Sequence, residues 1–178
     1  MAEEASGVGG NTVVEDLLLT DAFLIKGRVD GKFARLLKVL ETFSHDFLVV
    51  SDATMIDLRG GEVIRTPRVH VNMTELLFAH ELVDNAGDYF QKTLSADRAT
   101  DKQVKIRAFY HGNVNLELAG RVRPGAYESE SRFFVMEDCA IRGLSKELSG
   151  ELGMLESLPY TIVNRRRISY LYDFSPRP

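Results

Sequence analysis

The sequence predicts a mainly β protein: two tandem small antiparallel β-barrel-like units, the first carrying an inserted amphipathic helix. Three internal echoes predict it. Pro67, Val71, Asn72, Leu76 and Phe78 return 92 positions later as Pro159, Val163, Asn164, Ile168 and Tyr170. Asp46-Phe-Leu-Val-Val-Ser-Asp-Ala-Thr-Met55 runs in step with Arg132-Phe-Phe-Val-Met-Glu-Asp-Cys-Ala-Ile141, and Gly27-Arg28-Val29 with Gly120-Arg121-Val122. Self-similarity in a fixed order is the mark of a supersecondary unit used more than once.

The elements follow in chain order. Residues 1–12 are glycine-rich and acidic, and read as a disordered tail. Unit 1 spans 13–84. Its apolar lead-in, Val13 to Leu19, suits a strand or a helical turn, and a strand runs from Asp21 to Val29. Phe33, Leu36, Leu37, Leu40 and Phe43 then recur at helical spacing, which predicts a helix over 32–43 with one apolar face. Strand character returns at 47–58, Gly60-Gly61 is a hairpin signal leading into Glu62 to Val71, and Leu76 to Leu82 closes the unit. A polar linker covers 85–101. Unit 2 spans 102–175, with strands at Val104 to Tyr110 and Val114 to Val122 flanking the turn His111-Gly112-Asn113. Where unit 1 has its helix, unit 2 has the loop Arg123 to Ser131. Units of this size have marginal cores and exposed strand edges. Packing the two cores together, or covering one edge with the other, relieves both problems.

Composition places the 178-residue chain among ordinary globular proteins, with 44% hydrophobic and 27% charged residues. No apolar run approaches the roughly 20 residues of a membrane-spanning helix, and the N-terminal segment lacks the basic-then-apolar order of a signal peptide. A single cysteine, Cys139, excludes an internal disulfide. These features point to the cytoplasm.

No catalytic, cofactor-binding or metal-ligating set stands out, so the expectation is a non-enzymatic chain without a cofactor. The histidines at 45, 70, 80 and 111 lack metal-site spacing, although His70 and His80 fall on strands expected to be neighbours. Asp52 and Asp138 occupy matching places inside apolar strands, where a half-buried carboxylate bonded to backbone N–H groups is expected. Asn72 and Asn164 each follow a strand and precede a turn, the setting in which an Asx side chain bonds its own backbone. Pro67 and Pro159 suit the start of an edge strand.

Charge supplies the candidate site. Arg165-Arg166-Arg167 stands where the first copy has Met73-Thr74-Glu75. Residues 102–178 carry 12 Lys+Arg against 9 Asp+Glu, a balance of +3, whereas residues 20–84 carry 8 against 10, a balance of −2. Arg142, Arg165, Arg166 and Arg167 are therefore the candidate partner-binding residues. The reading is a protein-binding, scaffolding or adaptor protein, with self-association into homo-oligomers in view. The alternative is RNA binding through the Arg165–Arg167 turn.

The order Ile25, Gly27, Val29, then Phe47, Val49, Val50, Asp52, Ala53, then Gly61, Glu62, Val63, Pro67, Val69, Val71, Asn72 resembles a small bacterial β-domain family known only as a domain of unknown function. The second unit matches at Gly120 to Val122, Phe133 to Ala140 and Pro159 to Asn164, as a divergent copy. The resemblance implies the repeated β fold and no activity. More distantly, the strand-glycine-strand order is similar to Sm-like barrels, which implies RNA binding, although their RNA-contacting residues are missing.

Overall fold

The computed structural model describes residues 15–82, 103–144 and 154–175. The tail expected at 1–12 and the linker expected at 85–101 lie outside the described residues. The elements are β1 (Glu15–Thr20), β2 (Phe23–Val29), α1 (Leu36–Thr42), β3 (Phe47–Asp57), β4 (Val63–Asn72), β5 (Leu76–Leu82), β6 (Val104–Tyr110), β7 (Leu116–Val122), β8 (Phe133–Arg142), β9 (Ser157–Asn164) and β10 (Tyr170–Asp173). Short 3-10 turns occupy Met154–Glu156 and Arg165–Arg167.

All ten strands belong to one antiparallel sheet in the order β10-β6-β7-β8-β9-β5-β1-β2-β3-β4. The sheet is open. In its first half β1 pairs with β2 and β5, β2 with β3, and β3 with β4. The second half repeats this, with β6 pairing β7 and β10, β7 pairing β8, and β8 pairing β9. The halves meet edge to edge, where β5 pairs β9 through Phe78↔Val163 and Ala79↔Ile162. Each half also curls. A flat strip of five strands would hold β5 and β4 about 19 Å apart, yet residues 73–75 alone connect them, a reach of at most about 14 Å.

Two buried clusters lie on the two faces of this sheet, and both draw on both halves. Leu18, Ile25, Leu36, Leu40, Leu48 and Leu76 form one together with Phe133, Tyr160 and Ile162. Leu17, Leu19, Ile56, Leu77 and Phe78 join Tyr110, Leu118, Met136 and Leu158 in the other. Strand β1 is buried on both faces, which explains its unbroken Leu17-Leu18-Leu19 run. Full burial of each such side chain contributes about 1.5–3 kcal/mol. Polar contacts add to the joint. Asp21 accepts from Asn113 N (2.9 Å) and Val114 N (3.1 Å), and the buried Tyr110 hydroxyl donates to Leu77 O (2.9 Å).

The helix is shorter than the 32–43 its periodicity suggests. Arg35 precedes it in extended conformation (φ −61°, ψ 149°), and Phe33 lies outside it, 74% exposed. Over this stretch Lys32 is tied to Asp16 and Glu81, and Arg35 to Glu81. Leu36, Val39 and Leu40 provide the buried face.

The echoed Gly-Arg, Asp and Pro turn out to be one backbone device, present twice. Between Lys26↔Thr54 and Arg28↔Ser51, β3 has one more residue than β2, and Asp52 takes up the excess in the left-handed region at φ 51°. Asp138 does the same in β8 at φ 46°, opposite Gly120. Asp tolerates this conformation better than most residues. The carboxylates are not half-buried as expected. Their side chains are 71% and 60% exposed and ion-pair with Arg28 and Arg121, the arginines that follow the two glycines. Pro67 and Pro159 stand opposite the two bulges, inside β4 and β9 rather than at a strand start, where the disrupted ladder lacks a regular partner for an N–H.

Glycine is required at the bulge because the neighbouring strand presses against it. A Cβ on Gly27 would meet Val50 Cγ1 at 2.7 Å and Ser51 O at 2.8 Å, and one on Gly120 would meet Met136 Cγ at 2.6 Å and Glu137 O at 2.7 Å. Gly27→Ala and Gly120→Ala are each expected to destabilise the fold by about 1–3 kcal/mol, read as a lowered midpoint in chemical denaturation. A midpoint unchanged in both would show that the contacts relax freely.

Candidate functional site

The arginine turn grows out of β9. Asn164, wholly buried, accepts from Arg166 N through Oδ1 (3.1 Å) and donates through Nδ2 to Leu76 O (2.7 Å), so one side chain both caps the turn and ties β9 to the start of β5. Asn72 caps the corresponding turn by accepting from Thr74 N (2.9 Å) and Thr74 Oγ1 (2.8 Å). Both asparagines thus bond their own turns. Arg166 is exposed, and Arg167 reaches Glu75 of the first half at 3.7 Å. Arg132 lies beside the turn. Its backbone oxygen accepts from Arg165 N (2.9 Å), its Nη2 donates to Met73 O (3.0 Å), and burial together with the nearby Arg166 charge lowers its pKa.

Pairing does not bring Arg142 to this turn. Phe133, at the start of β8, pairs with Asn164, whereas Arg142, at its end, pairs with Glu117. Arg142 instead belongs to a cross-strand row, Tyr170↔Phe109↔Glu117↔Arg142, on the outer face of the second half.

That face is one the sequence reading missed. Lys105, Arg107 and Phe109 alternate with the buried Ile106, Ala108 and Tyr110, and Tyr170 and Tyr172 stand across from Phe109 and Arg107. Phe109 and Tyr170 stack at 4.8 Å, His111 and Tyr170 at 5.0 Å, and the Arg107 guanidinium lies 5.8 Å from the Phe174 ring centre. A shallow cleft of about 440 Å³ opens beside them, lined among others by Lys105, Arg107, Arg121 and Phe174. Period-two alternation in both strands was the available signal.

The second missed feature is a buried polar cluster where the halves join. Asp16 is fully buried, accepting from Lys32 Nζ (2.8 Å) and Val29 N (3.2 Å), and Lys32 also pairs with Glu81. Arg35 Nε reaches Glu81 at 3.2 Å, and the Tyr160 hydroxyl donates to Glu81 O at 3.4 Å. His80 Nδ1 donates to Tyr160 O (2.9 Å). Burial raises the Asp16 pKa and lowers that of His80. With each charge held by a partner, the cluster fastens β1, β5 and β9 together and leaves little unspent chemistry. His70 does not approach it through pairing, since β4 and β5 are not sheet neighbours. Among the described residues there is no group of three or more His, Cys, Asp or Glu placed to hold a metal ion. Burial pushes the Cys139 thiol up to about 11, so at neutral pH it is a thiol and not a thiolate. No helix among the described residues is long and apolar enough to cross a membrane.

Comparison with protein-family models, with curated proteins and with solved structures finds no match.

Among the described residues the two outermost strands are widely exposed. β4 is exposed along most of its ten residues, including Val63 and Ile64, and β10 presents Tyr170 and Tyr172, with Phe174 just beyond.

His80 sets a pH dependence. Its folded pKa lies below the ordinary 6.5, so below that value the unfolded chain takes up the proton more readily. Stability from this group is complete above about pH 6.5 and is lost as the pH falls through the folded value. Asp16, raised by burial, has the opposite sign and favours folding toward acid pH. His80→Gln is expected to flatten the change in denaturation midpoint between about pH 7.5 and about pH 5.5. Equal slopes in variant and wild type would remove His80 as the cause.

Proposed function

We propose that the chain is a non-enzymatic protein-binding or scaffolding protein built from a duplicated β-unit, residues 13–84 and 102–175. Each unit is a curled, partly open barrel-like run of five strands that presents a free edge. The repeated pairing pattern and the repeated bulge support the duplication. One observation carries the function. Among the described residues both terminal strands of the sheet have no pairing partner on their outer side, and most of the exposed large hydrophobic residues lie on them or directly beyond: Val63, Ile64, Tyr170, Tyr172 and Phe174.

Free edges of this kind are ordinarily blunted or covered, because they template further strand pairing. A partner that adds a strand gains main-chain hydrogen bonds, and pockets for alternate side chains supply specificity. The buried ionisable groups at the joint are engaged with one another, which leaves the surface as the working part.

Ile64→Lys and Tyr172→Lys place a charge on each edge without entering either core. Quantitative affinity capture from native cells is expected to lose the partners retained by the wild type, with the far-ultraviolet circular dichroism unchanged. An identical set of retained proteins for both variants would overturn the edge assignment.

A second reading rests on the outer face of the second half. Single-stranded nucleic acid is bound by aromatic side chains set among basic ones, and the Arg165–Arg167 turn leads directly into Tyr170, Tyr172 and Phe174, beside Lys105 and Arg107. On this reading filter binding to RNA weakens steeply with salt and drops when the three arginines become alanine. Absent or salt-independent binding removes it.

A further inference from the structure

The joint inside this chain is a template for a joint between chains. We propose that the edge strand β4 of one copy pairs with β10 of a second copy, head to tail, repeating the β9–β5 pairing that already joins the two halves. This rests on the edge reading above and names its partner as the chain itself.

The argument is one of equivalence. By the 92-residue offset β4 corresponds to β9 and β5 to β10, so the internal joint consumes one example of each kind of edge and the sheet ends on the other two. Residues covered at the joint have uncovered equivalents at the ends. Phe78 is 0% exposed and Tyr170 45%, while Tyr160 and Ile162 are buried and Arg68 and His70 exposed. Phe133 at the start of β8 is 1% exposed, and its equivalent at the start of β3, Phe47, is 51% exposed.

Transferring the register Phe78↔Val163 and Ala79↔Ile162 sets Tyr170 of one copy opposite Val71 of the next, and Leu171 opposite His70. Continued along the strands, Tyr172 faces Val69 and Asp173 faces Arg68. Aromatic with β-branched, and acid with base, are favourable cross-strand pairs. Asn72, whose Nδ2 has no partner among the described residues, then stands where Asn164 stands against Leu76 O, facing Ile168 O of the neighbour.

Charge selects the same partner. At the internal joint Arg167 meets Glu75, and Arg132 meets the turn at Met73. At the transferred joint Arg165 of one copy meets Asp46 of the next, which occupies the place of Arg132 and is exposed, while Arg167 and Glu75 stay paired within each chain. The loop Arg123 to Ser131 takes the position that α1 has over the internal joint. Because the two edges differ, the contact is heterologous, and each added copy exposes the same two ends again.

Two measurements test this on the full chain. First, in Val69→Cys/Tyr172→Cys the two thiols meet between copies at the spacing of cross-strand neighbours, about 4.5–5.5 Å between Cα atoms, which a disulfide spans. Mild oxidation is expected to give a ladder of linked chains from the double variant and not from either single variant. Dimers from a single variant would mean like-with-like edge pairing and would overturn the proposal. Second, Asp46→Arg and Arg165→Asp are each expected to weaken concentration-dependent association in sedimentation by about tenfold or more, and the double variant to restore it. A chain that stays monomeric at every concentration, or a double variant no better than the singles, overturns it. If the chain stays monomeric while the edge lysines still abolish capture of other proteins, self-pairing falls and the edge reading stands. If neither effect is seen, both fall.

Discussion

Everything in this molecule depends on one pairing, that of β5 with β9. Strand β5 belongs by connectivity to the first half and pairs with β1, yet its other side is satisfied by a strand of the second half. The pairing removes two edges at once, turns two five-strand strips into one sheet, and brings Phe133, Tyr160 and Ile162 over the apolar residues of the first half. The buried Asp16, Lys32 and Glu81 lie beside it. Their charges are tolerable there because each finds an opposite partner at close range, and taking any one away would leave an uncompensated charge in the interior.

The two halves share what the backbone needs and differ in the rest. The glycine that permits close approach, the aspartate that accepts a left-handed conformation and the proline opposite it recur in both halves, since each answers a local geometric demand. The turn after the fourth strand of each half has an asparagine cap, but its charge differs, Thr74-Glu75 in the first and Arg166-Arg167 in the second. The connection after the second strand differs more, a short helix in one half and an irregular loop in the other.

Much of this fold was legible in the sequence. Strand positions followed from period-two alternation and turn residues, and Leu76–Leu82 and Val104–Tyr110 fall where they were read. What stayed hidden depended on distant partners. The helix lacks the first turn its periodicity suggests, and Lys32 and Arg35 in that stretch pair instead with Asp16 and Glu81, residues far away in the chain. Asp52 and Asp138 look like interior carboxylates from their apolar neighbours, and only the bulge, which takes two strands to define, turns them outward. The candidate arginines were half legible: 165 to 167 lie together by sequence, but whether Arg142 joins them is decided by strand register, and register sends it to the row of Tyr170.

The shared interior also bears on how the chain is made. Strands β1 to β5 leave the ribosome before β8 and β9 exist, and the cluster containing Leu18, Leu36 and Leu76 lacks its cover until Tyr160 and Ile162 have been synthesised. A nascent first half therefore carries an uncovered apolar surface beside an unsatisfied strand until β9 has been made, a state prone to aggregation. The two halves are thus born as dependants instead of as independent folding units, since the interior of the first is finished by strands of the second.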